Sequence, residues 1–285
     1  MSDKSGIEWT EATWNPATGC TKVSPGCKYC YAKHKNWARL SANPNTVYFG
    51  RKFEDVAMHS ERLDQPLRWK KPRMIFVNSM SDLFHEDISD EFIEEVFAVM
   101  ALAGGRHIFQ MLTKRAERMR AFLTTKHRWV TIEGRAQRRE YERTGDDPSM
   151  WLSVKLPLPN VWLGVSVENQ ETADERIPLL LETPAAVRWL SCEPMLDMIK
   201  LEARERREGV WYSDGWYRRL DWIVCGGESG PNARPMNISW AIDLCCRARY
   251  AGVPFFMKQG SQANWAHWKD IDKWPEPLRV REYPK

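Results

Sequence analysis

Nowhere does this chain carry the 18 or more consecutive apolar residues that a membrane-spanning helix needs. Its first residues, Met-Ser-Asp-Lys-Ser-Gly, also lack the apolar stretch of a secretory signal. No membrane association and a cytoplasmic location are therefore expected. An even cysteine count is missing too: seven cysteines in 285 residues do not make a disulfide framework. Unpaired and metal-bound thiols suit a reducing compartment, where disulfides do not persist. No internal repeat or low-complexity tract is present. Acidic side chains are absent from Ala12 to Phe53, whereas Lys22, Lys28, Lys33, Lys35, Arg39, Arg51 and Lys52 all fall there.

What is present is enough apolar sequence for a large core, 43% of the residues, including fifteen tryptophans. The net charge of +4 does not by itself point to nucleic acid, but its distribution says more. The acid-free window, with two further basic stretches at Arg68–Arg73 and Lys114–Arg128, makes an electrostatic footprint for a polyanion; solvated helix faces are the alternative. Trp9, Trp14, Trp37 and Trp69 lie in or beside this zone, where base stacking is one use and core packing another.

Three cysteines, Cys20, Cys27 and Cys30, share one Gly/Pro/Ser-rich loop with no fourth cysteine nearby. Structural zinc and structural clusters normally complete four protein ligands, so three thiolates suggest a metal centre with an open position, such as a 4Fe-4S cluster with one free iron. A zinc site that takes His34 as a fourth ligand, or plain buried thiols, are the other readings of the same residues. Cys192, Cys225, Cys245 and Cys246 fall in apolar strand-like or helical patterns and are expected to pack in the core.

Short runs rich in Val, Ile, Phe and Trp read as strands buried on both faces: Gly6 to Thr10, Met74 to Ser79, His107 to Leu112, Val161 to Val167, Val187 to Cys192, Leu220 to Cys225 and Val253 to Met257. Helical patterns lie between them at Tyr29 to Leu40, Asp90 to Ala103, Arg115 to Leu123, Thr172 to Leu181 and Ser239 to Tyr250. Alternation of this kind means a parallel sheet, and the number of units predicts an α/β fold, a partial (β/α)6 barrel of the TIM type. Two charged stretches, about 124–159 and 200–219, read as insertions that either face substrate or decorate the surface. Residues 1–260 then form the barrel, and 261–285 a tail packed on it.

In such a barrel the chemistry sits where the strands end. After successive strands come the cysteine loop, Ser79 to Asp82, Thr113-Lys114, Ser166 to Asn169, Ser191 to Pro194, Gly226 to Ser229, and Lys258-Gln259, a set that converges on one mouth.

With Tyr29 just before the last cysteine of a loop that follows the first strand, the chain resembles the radical S-adenosylmethionine enzymes, whose signature is C-x3-C-x2-C at that place. Here six residues separate Cys20 from Cys27, an atypical C-x6-C-x2-C branch similar to an uncharacterised phage-borne family and to the branch of spore photoproduct lyase. The resemblance covers roughly Ile7 to Gly260, and the cysteine motif is its specific part.

The resemblance implies a 4Fe-4S cluster on Cys20, Cys27 and Cys30 whose open iron takes the amino and carboxylate groups of S-adenosylmethionine. Tyr29 would lie by the adenine, Ser81 and Asp82 by the methionine amine, and Lys114 by its carboxylate. Ser166 or Glu168 would bond a ribose hydroxyl, while Glu193 and Glu228 would contact substrate or ribose. The implied activity is reductive cleavage of the cofactor to a 5′-deoxyadenosyl radical that abstracts hydrogen, with a flavodoxin- or ferredoxin-type electron donor. Together with the basic zone, the lyase-like strand ends suggest a nucleobase in DNA as substrate, for modification or repair. The reading from a different class is a non-catalytic nucleic-acid-binding protein with a structural zinc or iron-sulfur site.

Overall fold

The computed structural model describes residues 5–201, 215–230 and 232–285, together with the backbone of 205–207 and 210–212. Seven parallel strands form one sheet in which each strand pairs with the next in sequence: β1 (Ala12–Trp14), β2 (Arg73–Val77), β3 (His107–Thr113), β4 (Val161–Ser166), β5 (Val187–Cys192), β6 (Trp222–Gly226) and β7 (Phe255–Gln259). Every residue of β4 and β6 is buried, as a strand covered on both faces requires.

Among the described residues five helices of nine residues or more supply the crossovers after β2, β3, β4 and β6: α1 (Asp90–Leu102), α2 (Ala116–Thr124), α3 (Arg128–Thr144), α4 (Gln170–Glu182) and α5 (Ile238–Ala251). Their starts follow from local chemistry. The Ser89 hydroxyl accepts from the Phe92 amide before an acidic first turn, and Asn169 and Thr172 make a reciprocal capping box. On the outer sheet face Ile75, Phe109, Leu163, Leu190, Ile223 and Phe255 join the helices in one large apolar cluster. The alternate residues Phe76, Trp162, Trp189, Trp222 and Phe256 form a second cluster on the inner face.

Curvature of the sheet follows from one residue. In a flat sheet β2 and β6 would stand four strand spacings apart, about 19 Å. Yet the Trp9 ring lies 4.8 Å from Phe76 of β2, 5.2 Å from Trp189 of β5 and 6.2 Å from Trp222 of β6. The sheet therefore curls into a partial TIM-type barrel with Trp9 as its plug. On the far edge of β7 the tail runs antiparallel, with Met257 donating to Val280 and Glu282 to Phe255. Tyr283 then stacks on Trp222 at 5.5 Å and reaches the Glu8 carbonyl. An exposed sheet edge is covered in this way.

Two expectations need correction, and one that held two alternatives narrows to one. The first strand is Ala12–Trp14, not Gly6 to Thr10, because a turn from Ile7 to Thr10 sends Trp9 into the barrel. The Arg-rich insertion does not face the mouth: α3 lies against α1, where Arg128 and Arg135 bind Glu94, and Arg135, Arg138 and Arg139 bind Glu95. Cys246 is exposed rather than packed, unlike Cys192, Cys225 and Cys245. Of the second insertion, 202–204, 208–209 and 213–214 lie outside the described residues, and an antiparallel pair, Glu205–Arg207 with Val210–Tyr212, leads to a buried Tyr217. No helix among the described residues is long and apolar enough to cross a membrane.

Candidate metal centre

Period-two alternation carries the inner-face pattern past the apolar layer to the carboxyl ends of the strands. There Lys114, Ser166, Ser191, Glu193, Glu228 and Lys258 line a cavity of about 910 Å³. Trp9, Phe76 and Leu112 reach its floor, and Cys20, Cys27, Cys30 and Tyr29 line it from the first loop.

The cysteine loop is held from two sides. Gly19 has φ +93°, and a Cβ there would meet the Asp55 carbonyl oxygen at 2.6 Å; this close approach lets Cys20 donate to the Phe53 carbonyl at 2.9 Å. At the other side Gly26 rests on Glu168, whose Oε1 also accepts from the Ser24 hydroxyl at 2.7 Å. Glu168 is fully buried and takes Lys114 and Arg176 as cationic partners. Burial pushes its carboxyl up, but Lys114, Arg176 and Ser24 together hold it below the usual carboxylate range. It braces the loop from beneath and does not line the cavity, so a ribose contact is not where the fold places it.

All three loop thiols are free, and Cys27 enters the electrostatics of both Cys20 and Cys30. Burial pushes the Cys20 thiol up to about 12, with Asp82 adding to the rise and Arg115 opposing it. Burial likewise raises Cys30, against the amides of Lys33 and Ala32. Among the described residues no three His, Cys, Asp or Glu side chains converge closely enough to hold a single metal ion. His34 turns its Nε2 to the Lys28 carbonyl at 3.1 Å. Three thiols around one opening fit a cluster, whose irons sit apart, better than one tetrahedral ion.

The remaining candidates have mixed positions. Ser81 lines the cavity but donates to the Ala17 carbonyl. Asp82 accepts from Thr113 Oγ1 at 2.7 Å, the Lys114 amide at 3.1 Å, the Phe84 amide at 3.1 Å and Arg115, which makes it the joint between the second and third strand ends. Ser166 and Ser191 sit side by side in register. Glu193 pairs with Lys258 and Glu228 with Arg234. Lys28 lies 5.2 Å and Arg234 5.4 Å from the centre of the Tyr29 ring, which ties the first loop to the sixth.

Ser191 stands where the strand-end pattern puts it, beside Glu193. Nothing in the sequence singles out Arg115, Arg176 or Arg234 for the site. Arg234 stands in a loop without periodicity, and Arg176 on a helix; neither carries a local signal.

Charge at the mouth is also distributed differently than expected. Lys22, Lys35 and Arg39 line the cavity, and among the described residues none has a carboxylate at ion-pair distance; Glu54 attracts Lys22 only at longer range. By contrast Arg68–Arg73 leads into the amino end of β2, at the opposite end of the barrel, where Arg73 lies over Trp69 at 4.9 Å. Trp9, Trp14, Trp37 and Trp69 are all at most 9% exposed and serve the core, not base stacking.

A family model described as a protein of unknown function, DUF5131, matches residues 4–276. Among solved structures, a cysteine-to-serine mutant of spore photoproduct lyase aligns at 12% identity with a TM-score of 0.43, over 87% of this chain and 75% of that one. No curated protein matches the chain.

Proposed function

We propose that this chain, which belongs to the DUF5131 family, is an iron-sulfur enzyme that binds a 4Fe-4S cluster through Cys20, Cys27 and Cys30 and cleaves S-adenosylmethionine reductively. The observation that carries this reading is the set of three free loop thiols, Cys20, Cys27 and Cys30, that opens into a cavity walled by the strand ends. When bound, cluster and cofactor supply one-electron cleavage that leads to hydrogen abstraction.

The chain's own residues set the surroundings of that chemistry. Glu168, Ser24 and Gly26 fix the loop, and Trp9, Phe76 and Leu112 close the floor against water. Ser166 and Ser191 present hydroxyls, and the Glu193–Lys258 pair offers an acceptor and a donor to a bound polar group. Tyr29 offers a ring face for an adenine.

For the substrate we propose a nucleobase in nucleic acid, drawn in by Lys22, Lys35 and Arg39 at the rim. A small acidic redox protein of the flavodoxin or ferredoxin type, in the cytoplasm, would deliver the electron. Anaerobic purification followed by iron and sulfide analysis tests the cluster. Incubation with S-adenosylmethionine and dithionite, with 5′-deoxyadenosine as the measured product, tests the cleavage. A colourless protein holding zinc would overturn the reading in favour of a structural metal site.

A further inference from the structure

Arg115 follows Lys114 at the end of β3 and leads into α2. Its side chain is only 9% exposed and is clamped on several sides. Nε donates to Glu86 Oε2 at 3.0 Å, Nη2 to Thr21 Oγ1 at 2.8 Å, and Nη1 lies 3.4 Å from Asp82 Oδ2. Thr21 Oγ1 in turn contacts His85 Nε2 at 2.8 Å. The clamp leaves Nη1 directed at the Sγ of Cys20, 3.6 Å away. Among the described residues no cationic side chain donates to either of the other two thiols: Cys27 faces the Ser24 hydroxyl at 3.9 Å, and Cys30 faces the amides of Lys33 and Ala32, with Lys114 acting on it only through space.

Resting on the iron-sulfur reading above, we infer that Arg115 is a positioning residue that donates a charge-assisted N–H···S hydrogen bond to the Cys20 ligand and raises the reduction potential of the centre, while Asp82 opposes it. A cluster gains negative charge on reduction, and its ligand sulfurs carry part of that charge. A cationic donor on a ligand sulfur therefore stabilises the reduced state more than the oxidised one, and a carboxylate beside it does the reverse. The fold has placed the guanidinium on this sulfur and Asp82 against the same guanidinium nitrogen, held by Thr113 and the Lys114 amide so that it cannot swing away.

The test is a dithionite redox titration of the anaerobically reconstituted full chain, followed by electron paramagnetic resonance, with iron and sulfide counted in every variant. Arg115→Gln is expected to move the potential to more negative values, and Arg115→Lys to return it part of the way. Asp82→Asn is expected to move it to more positive values. Arg118→Gln, whose side chain bonds the Ile88 carbonyl and Asp90 instead, leaves it in place. Loosening of the site would shift both network variants in one direction, so opposite signs separate electrostatic tuning from damage. An unchanged potential in Arg115→Gln at full iron content overturns the inference and leaves the iron-sulfur reading standing; if that variant holds no iron, Asp82→Asn alone decides by the sign of its shift. A native chain that binds no cluster overturns both.

Discussion

A Cβ on Gly26 would stand 2.3 Å from Oε1 of Glu168, so the cysteine loop can lie on the fourth strand end only because one residue has no side chain and the other is a carboxylate. The carboxylate is shared by Ser24 of the loop, Lys114 after β3 and Arg176 of α4. Gly26→Ala is expected to lift the loop, lower iron content several-fold and cost on the order of 1–3 kcal/mol through overpacking. Glu168→Gln keeps the shape but leaves Lys114 and the buried Arg176 without their anion, for a loss of about 3 kcal/mol. Urea unfolding of the two variants measures both. Native stability in Glu168→Gln would show that the carboxylate is not the brace.

The three loop cysteines should be separately indispensable for iron. Alanine at Cys20, Cys27 or Cys30 is expected to abolish the brown absorbance of the anaerobic protein. Alanine at Cys192, Cys225, Cys245 or Cys246 should leave iron per chain unchanged, since three of these are buried away from the opening and the fourth faces solvent. Iron dependence on any of these four would break the three-ligand argument.

Strand alternation was the part of the molecule most legible in the sequence, because residues buried on both faces leave short apolar runs, and the residues just past them then fall at one mouth. Lys114, Glu193 and Glu228 could be placed there by counting. Two of the ion-pair partners at these strand ends could not, since Arg176 meets Glu168 from a helix and Arg234 meets Glu228 from a loop, both remote in pattern. Sequence left Trp14 and Trp37 open between stacking platform and core, because burial is not local; Trp14 donates to the Arg62 carbonyl at 2.8 Å and Trp37 packs on Tyr48 and Phe53. Arg68–Arg73 was misplaced for a related reason, because charge composition carries no information about which end of a strand it precedes.

Acid should release α3 before the barrel unfolds. Burial pushes Glu94 and Glu95 up, but Arg135 with Thr131 and Arg128 around Glu94, and Arg139 with Arg135 around Glu95, hold both below the usual carboxylate range. A folded-state pKa below the unfolded value contributes stability that is complete above the ordinary value of about 4.3 and is lost as pH falls through the depressed one. Hydrogen exchange across Arg128–Thr144 is therefore expected to accelerate below about pH 4 while β4 and β6 stay protected. Exchange that rises equally in the sheet would mean that the ion-pair layer is not a separate unit.

Salt should weaken oligonucleotide binding through the rim and not through the opposite end of the barrel. Each phosphate neutralised by a lysine or arginine releases counterions, and the logarithm of the binding constant falls with that of salt by about 0.7 to 0.9 per contact. Lys35 and Arg39 line the cavity mouth, whereas Lys70 and Lys71 precede the amino end of β2. The double reversal Lys35→Glu with Arg39→Glu is expected to reduce affinity and flatten the slope by about 1.4 to 1.8, and Lys70→Glu with Lys71→Glu to leave both unchanged. Fluorescence anisotropy on single and double strands at several salt concentrations measures this. Equal effects from the two pairs would mean a diffuse field rather than a guided entry, and no binding at low salt would turn the substrate assignment toward a small molecule that fits the cavity alone.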